Sequence, residues 1–160
     1  MSAKPTEEQD QTRTRVRERN NRKVSVVIPS NRQQVLTLNS SEGIPGVEIL
    51  IERVPNVSRA RNLGVVKARG EIVAILDDDI EFSKEWFLNH CKSVRRGVAF
   101  WADPPCIIFV TKYDFLKAGG FDEALNSGEV QEFALALKKA GVTLSSVSYT
   151  HLRAHETVLD

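Results

Sequence analysis

The strongest constraint on the fold is a short apolar run, residues 72–76, that leads directly into three consecutive aspartates, Asp77, Asp78 and Asp79. A continuous apolar run preceded by the turn signal Arg69-Gly70 predicts a strand that is buried on both faces. Ligands of open α/β sheets lie just beyond the carboxyl ends of such strands. Alternation along the strand would place Asp77 and Asp79 on one side and Asp78 on the other.

The aspartates allow two interpretations. Neighbouring carboxylates repel each other unless a cation or a proton lies between them. A divalent ion with oxygen ligands, such as Mg²⁺ or Mn²⁺, is the usual solution and is often shared with a substrate phosphate. The triplet therefore suits a site for a metal ion and a diphosphate. It equally suits an acidic loop before a helix, whose first turn favours negative charge.

Length and composition are typical of one globular domain. The chain has 160 residues, of which 41% are hydrophobic and 27% charged. A net charge of +1 gives no reason to expect nucleic acid as a partner. We find no apolar run of roughly 18 residues that would span a membrane, and no secretory signal. We therefore expect a cytoplasmic protein, which could also contact a membrane surface, with Cys91 and Cys106 reduced and buried.

Strands and helices are predicted to alternate along most of the chain. Residues 1–22 are polar and predict a disordered arm, whose arginines could contact an acidic lipid surface or remain solvated. The predicted strands are 23–29, 47–52, 71–76, 98–101, 106–111 and 142–144. The predicted helices are 33–38, 57–69, 84–94, 112–118 and 129–140. This alternation predicts an α/β domain with a mostly parallel sheet flanked by helices.

Two arginines stand out in the predicted helix 57–69. Arg59 and Arg61 lie near its amino end, where positive charge opposes the helix dipole. The placement makes sense if the arginines meet an anion, although ordinary surface arginines would give the same pattern.

Four segments, in this order, resemble the family 2 glycosyltransferases, which have the GT-A (Rossmann-like) nucleotide-sugar-binding fold. They are the opening strand through Ser30, the helical residues 60–64 with 68–71, the DxD motif at 77–79, and the region 119–141. Each segment alone is a weak signal, whereas the ordered set is specific and covers most of the chain. The resemblance implies a GT-A domain over residues 23–147 that is incomplete at its C-terminus.

The resemblance also implies a chemistry. A sugar would pass from a nucleotide-diphosphate sugar to an acceptor hydroxyl of a glycan, lipid or protein, with inversion. Mn²⁺ or Mg²⁺ would bridge the diphosphate, with Asp79 as the direct ligand and Asp77 facing the ribose or the ion. The residues expected to bind the donor are Pro29, Ser30, Glu52, Arg59, Arg61, Asp77 and Asp78.

The chain departs from the family pattern where a catalytic base is expected. Glu129-Val130 replaces the usual Glu-Asp pair, and valine cannot accept a proton. Glu129 or Glu132 could substitute, although a helix turns about 100° per residue, so neither occupies the direction of Val130. One alternative is therefore a catalytically impaired nucleotide-sugar-binding module of the same fold. Another is an unrelated α/β phosphohydrolase that uses the same acidic strand end.

Residues 148–160 resemble a peptide that arises when translation reads through sequencing adapter. The resemblance implies a C-terminally truncated chain with a non-native tail. If this resemblance is set aside, the spacing of His151 and His155 at i and i+4 would suit a zinc site.

Overall fold

The structure is a computed structural model that describes residues 3–4, 6–11, 22–150 and 152–154. Its strands are β1 (Val24–Pro29), β2 (Glu48–Glu52), β3 (Ile72–Leu76), β4 (Ile80–Phe82), β5 (Val98–Ala102), β6 (Ile107–Thr111), β7 (Thr143–Ser146) and β8 (Leu152–Ala154). Its helices after the arm are α1 (Leu36–Glu42), α2 (Val57–Lys67), α3 (Lys84–Ser93), α4 (Lys112–Ala118) and α5 (Glu129–Lys139). Residues 7–11 of the predicted arm are also helical, while most of that arm, and His151 and His155, lie outside the described residues.

The described strands form one six-stranded sheet in the order β2-β1-β3-β6-β5-β7. Within it β6 runs antiparallel to its neighbours β3 and β5, and the remaining pairs are parallel. This arrangement confirms the predicted α/β fold with a mostly parallel sheet. β4 and β8 form a separate antiparallel pair, which was not predicted, and β8 falls in the predicted tail.

Alternating strand residues supply a core on each face of the sheet. Val26 and Ile28 of β1 join one buried cluster with Trp86 and Phe87 of α3. Val27, between them, joins the other cluster, which includes Phe133 of α5. Because β3 is buried on both faces, as the apolar run predicts, its carboxyl end is held rigidly between two packed layers.

Both cysteines are free and buried, as predicted. Burial disfavours the charged thiolate and raises the pKa of Cys91 to about 12. The pKa of Cys106 is also raised, chiefly by burial. Neither thiol is therefore suited to act as a nucleophile near neutral pH.

β3 stops at Leu76, as predicted, and the three aspartates follow it in a turn. The structure corrects the position of the first helix, which packs against this turn. The first helix covers Leu36–Glu42 instead of residues 33–38. Its position follows from contacts with the aspartate turn, which no local pattern reveals.

No helix in the described ranges is long and apolar enough to cross a membrane.

Candidate active site

The turn that carries the aspartates is anchored to α1 by Thr37, which is fully buried. The Thr37 hydroxyl donates a hydrogen bond to the carbonyl of Asp77 and accepts one from the amide of Ile80 at 3.0 Å. The Thr37 amide donates to the carbonyl of Asp78 at 3.3 Å. One side chain therefore satisfies backbone groups on both sides of the turn. Sequence analysis did not identify Thr37, because its partners lie 40 or more residues further along the chain.

Replacing Thr37 with valine is expected to loosen this turn. The substitution keeps the shape but leaves the Ile80 amide and the Asp77 carbonyl without their side-chain partner, at a cost of about 2 kcal/mol in the free energy of unfolding. Urea unfolding would measure the loss, with Thr143→Val at an exposed position of β7 as the matched control. Equal stability of the two variants would contradict the anchoring role.

Asp77 is held at the start of the turn by the loop that precedes β6. One of its carboxylate oxygens accepts a hydrogen bond from the Cys106 amide at 2.9 Å, and its own amide donates to the Cys106 carbonyl at 3.0 Å. Its pKa is nevertheless raised, first by burial and also by the neighbouring charges of Asp79 and Asp78. The mutual repulsion of the three neighbouring carboxylates would be relieved by a bound cation.

Arg61 of α2 connects Asp77 to Glu129 at the start of α5. It is 3% exposed, and its guanidinium lies 3.6 Å from an Asp77 oxygen and 3.3 Å from a Glu129 oxygen. Arg61 was expected to bind the diphosphate, but in the structure its two terminal nitrogens face protein carboxylates. The structure therefore brings together a predicted metal ligand, Asp77, and a predicted catalytic base, Glu129, through a buried cation.

Asp78 faces the other way, toward the end of β1. Its carboxylate accepts a hydrogen bond from the Ser30 hydroxyl at 2.6 Å and lies 3.7 Å from Nε of Arg32. An adjoining cleft of about 200 Å³ combines polar and apolar side chains. The lining residues are Pro29, Ser30, Asn31, Arg32, Val54, Pro55, Val57 and Asp78. Three of the predicted donor-binding residues, Pro29, Ser30 and Asp78, thus line one cleft.

Two other predicted donor-binding residues do not line this cleft. Glu52 lies at the end of β2, as expected, but its carboxylate is bound by the amino group of Lys67 at 3.0 Å. The backbone carbonyl of Glu52 accepts a hydrogen bond from the amide of Ser30. Glu52 therefore fixes the backbone of a residue that lines the cleft. Arg59 lies on the exposed side of α2, between the buried residues Ser58 and Ala60.

Asp79 is the member of the triplet whose carboxylate remains available. It makes no hydrogen bond or ion pair to any other described residue, whereas Asp77 and Asp78 are both engaged. The described part of the chain contains no group of three or more side chains arranged to hold a metal by themselves. Mg²⁺ and similar ions commonly take one or two carboxylates together with substrate phosphates. Asp79 with Asp77 beside it therefore fits an ion that is bound jointly with a diphosphate.

Val130 does not face the site. It is 2% exposed and packs in the cluster that contains Phe133 and Leu137. Glu129, one residue earlier, is the acidic residue of this helix that reaches Arg61. Glu132 is partly buried, and one of its carboxylate oxygens has no partner among the described residues. A carboxylate at position 130 would therefore enter this apolar cluster.

Replacing Val130 with aspartate is expected to destabilise the fold by about 3–5 kcal/mol, because it places a carboxylate in an apolar cluster without a partner. Val130→Ala, which only removes two methyl groups, should cost about 2 kcal/mol. Thermal unfolding of the two variants would separate the effects. An aspartate variant that melts like the wild type and gains transferase activity would show that position 130 does face the substrate.

Three solved structures share this architecture at low sequence identity. The catalytic domain of Drosophila beta1,4galactosyltransferase 7, in complex with xylobiose, aligns with a TM-score of 0.61 and 16% identity over 79% of this chain and 65% of that one. The Pyrobaculum calidifontis mannosyltransferase PcManGT, in complex with GDP-Man and Mn²⁺, gives 0.63 and 14% over 85% and 61%. GalNAc-T7 with UDP, GalNAc and Mn²⁺ gives 0.63 and 13% over 79% and 42%. The chain therefore spans less than two thirds of the length of each structure that it matches.

The architecture is that of the GT-A class of glycosyltransferase folds. The model of the family described as glycosyl transferase family 2 matches residues 25–128, more than half of the chain. The chain belongs to glycosyl transferase family 2, and the resemblance found in its sequence is confirmed. A search of curated proteins found no match.

Proposed function

We propose that this chain binds a nucleotide-diphosphate sugar together with Mn²⁺ or Mg²⁺, and transfers the sugar to an acceptor hydroxyl with inversion. The observation that carries the proposal is the acidic turn after β3. It presents the available carboxylate of Asp79 beside Asp77, while Asp78 lines a separate cleft. A divalent ion at Asp79 and a nucleoside in the cleft would occupy adjacent positions along the same turn.

The cleft has the properties that a nucleobase and its ribose require. Pro29, Val54, Pro55 and Val57 offer apolar surface for a flat ring. Ser30, Asn31, Arg32 and Asp78 place donors and acceptors at the edge of the same cleft. Two of the structural relatives were solved with GDP-Man or UDP together with Mn²⁺, which supports a nucleotide-sugar donor here.

A bound divalent ion would neutralise charge on the departing nucleotide diphosphate. The protein supplies the rest of the site. Glu129 is the candidate base: it accepts the proton of the acceptor hydroxyl as that oxygen forms a bond to the anomeric carbon. The bond from the anomeric carbon to the diphosphate breaks on the opposite face, which gives inversion. Arg61 holds Glu129 in position at 3.3 Å.

A second candidate function is binding of the nucleotide sugar without transfer. Glu129 is paired with a buried arginine, so an acceptor hydroxyl would have to compete with that guanidinium for the carboxylate. Where the family pattern has its aspartate, this chain has Val130, which is part of the core. Transfer of the sugar by the wild-type chain, monitored through release of the nucleoside diphosphate, would exclude this alternative.

Thermal unfolding with Mn²⁺ alone and with Mn²⁺ plus UDP, GDP or CDP tests the proposal. A ligand present at 100 times its dissociation constant adds about 2.7 kcal/mol to the stability of the native state. For a chain of this size that corresponds to a rise in melting temperature of about 5–10 °C. We expect one nucleotide to give this rise only when Mn²⁺ is present. A cooperative transition that none of the nucleotides shifts would contradict the proposed function.

A further inference from the structure

In the loop between α4 and α5, the aromatic residue Phe121 contacts the candidate active site. Its ring is 3% exposed and stacks on Phe133 with ring centroids 4.4 Å apart. The guanidinium of Arg61 lies over the same ring, 5.0 Å from its centroid. Phe121 therefore contacts both the core behind α5 and the cation that connects the two carboxylates.

Asn62, the residue after Arg61 on α2, holds the backbone of Phe121 from both directions. The Asn62 side-chain carbonyl accepts a hydrogen bond from the Phe121 amide at 2.9 Å. The Asn62 side-chain NH₂ donates to the Phe121 carbonyl, also at 2.9 Å, and to a carboxylate oxygen of Glu123 at 3.3 Å. An asparagine amide can satisfy the donor and the acceptor of one residue in this way, as a neighbouring strand would. Phe121 is thus fixed to α2 by a pair of complementary bonds.

The two glycines before Phe121 allow this close approach. Gly119 and Gly120 have φ values of +93° and +72°, which side chains of L-residues rarely adopt. A Cβ atom on Gly120 would lie 2.8 Å from the Asn62 side-chain oxygen. The turn at the end of α4 therefore delivers Phe121 to Asn62 only because residue 120 has no side chain.

Arg61 depends on this arrangement because its own polar contacts are incomplete. Its Nε atom is buried and has no hydrogen-bond partner among the described residues. Its ion pairs, at 3.6 and 3.3 Å, are longer than the 2.7–2.9 Å typical of charge-assisted hydrogen bonds. A guanidinium held by two long contacts needs a third surface to define its plane, and the Phe121 ring is that surface.

We infer that Asn62 is a positioning residue: its amide fixes Phe121, and the Phe121 ring holds Arg61 in place between the two carboxylates. The inference rests on the proposed function insofar as those carboxylates act on a metal–diphosphate and on an acceptor hydroxyl. Asn62 touches neither carboxylate and does not line the nucleotide cleft, so it acts through Arg61. Asp77 is also held by the Cys106 backbone, whereas Arg61 is the residue that holds Glu129, so loss of Asn62 should lower the rate of transfer much more than the nucleotide affinity.

Amide hydrogen exchange measured by NMR tests the first part of the inference. In Asn62→Leu, which is similar in shape and makes no hydrogen bonds, we expect the Phe121 amide and the Arg61 Nε–H to exchange at least about ten times faster. The amide of Ala74 in the buried β3 should keep its exchange rate. Asn89→Leu, at an exposed position of α3, is the matched control and should change none of these rates. Unchanged exchange at Phe121 and Arg61 in Asn62→Leu would overturn the inference.

Kinetics with a nucleotide sugar tests the second part. We expect kcat of Asn62→Leu to fall at least about tenfold with KM for the nucleotide sugar within about threefold of the wild type, measured well below the melting temperature. Asn62→Asp keeps the acceptor for the Phe121 amide but faces the Glu123 carboxylate, so adding Glu123→Gln should restore part of the lost rate. An unchanged kcat, despite faster exchange, would reduce Asn62 to a structural residue and overturn its positioning role. Absence of turnover in the wild type would overturn the proposed function alone, because the exchange rates decide the positioning of Phe121 and Arg61 by themselves.

Discussion

Replacing Asp79 with asparagine is expected to weaken Mn²⁺-dependent nucleotide binding by at least about 100-fold, or ~2.7 kcal/mol. The substitution preserves the shape of the side chain and removes the one charge of the turn that has no hydrogen bond or ion pair to another described residue. A hard divalent ion binds a neutral amide oxygen far less strongly than a carboxylate. Calorimetric titration with the nucleotide identified by thermal unfolding, with and without Mn²⁺, would measure the change.

The control for this experiment is Glu42→Gln, which removes an exposed carboxylate from the end of α1 without touching the turn. It should bind Mn²⁺ and nucleotide like the wild type. In the absence of metal, the Asp79→Asn variant and the wild-type protein should bind nucleotide equally weakly. If Asp79→Asn retains wild-type affinity in the presence of Mn²⁺, Asp79 is not a metal ligand, and the metal part of the proposed function fails.

Replacing Arg61 with methionine should lower the free energy of unfolding markedly. The change removes the partner shared by Asp77 and Glu129, whose side chains are 32% and 18% exposed. Loss of one member of a fully buried ion pair costs about 3–5 kcal/mol, and partial exposure of these carboxylates reduces the expected cost to about 2–3 kcal/mol. Arg59→Met, two residues earlier on the exposed face of the same helix, is the matched control and should be nearly neutral.

The destabilisation of Arg61→Met should depend on pH. Burial already raises the pKa of Asp77, and Arg61 opposes that rise. A carboxyl whose pKa is raised in the folded state binds its proton more tightly there, so its ionisation costs stability as the pH increases through that pKa. Without Arg61 the pKa rises further and this cost becomes larger. Urea unfolding from pH 8 to pH 5 should therefore show Arg61→Met recovering stability on acidification by more than the wild type does. Parallel pH profiles of the two proteins would contradict the ion pair.

The sequence was most informative where residues act locally. The β-branched run 72–76 has to be buried on both faces because it contains no polar position, and the structure confirms a central strand there. The helix that carries Arg61 was predicted over residues 57–69, and the observed α2 covers Val57–Lys67. The aspartate triplet was therefore placed correctly at the carboxyl end of β3. The Asp77 and Asp78 carboxylates point to different partners, as the alternation predicts, although both residues follow the end of the strand.

The sequence by itself determined the α/β class, the family and the position of the acidic turn, because these follow from short apolar patterns and from motifs in a definite order. Only the tertiary structure decided which carboxylates lie close to one another. Asp77 and Glu129 lie 52 residues apart and meet through Arg61, Thr37 fixes the turn from another helix, and Val130 faces the core. Such contacts depend on how layers pack across the sheet. Packing joins residues that no local spacing relates, since the chain reverses direction several times between them.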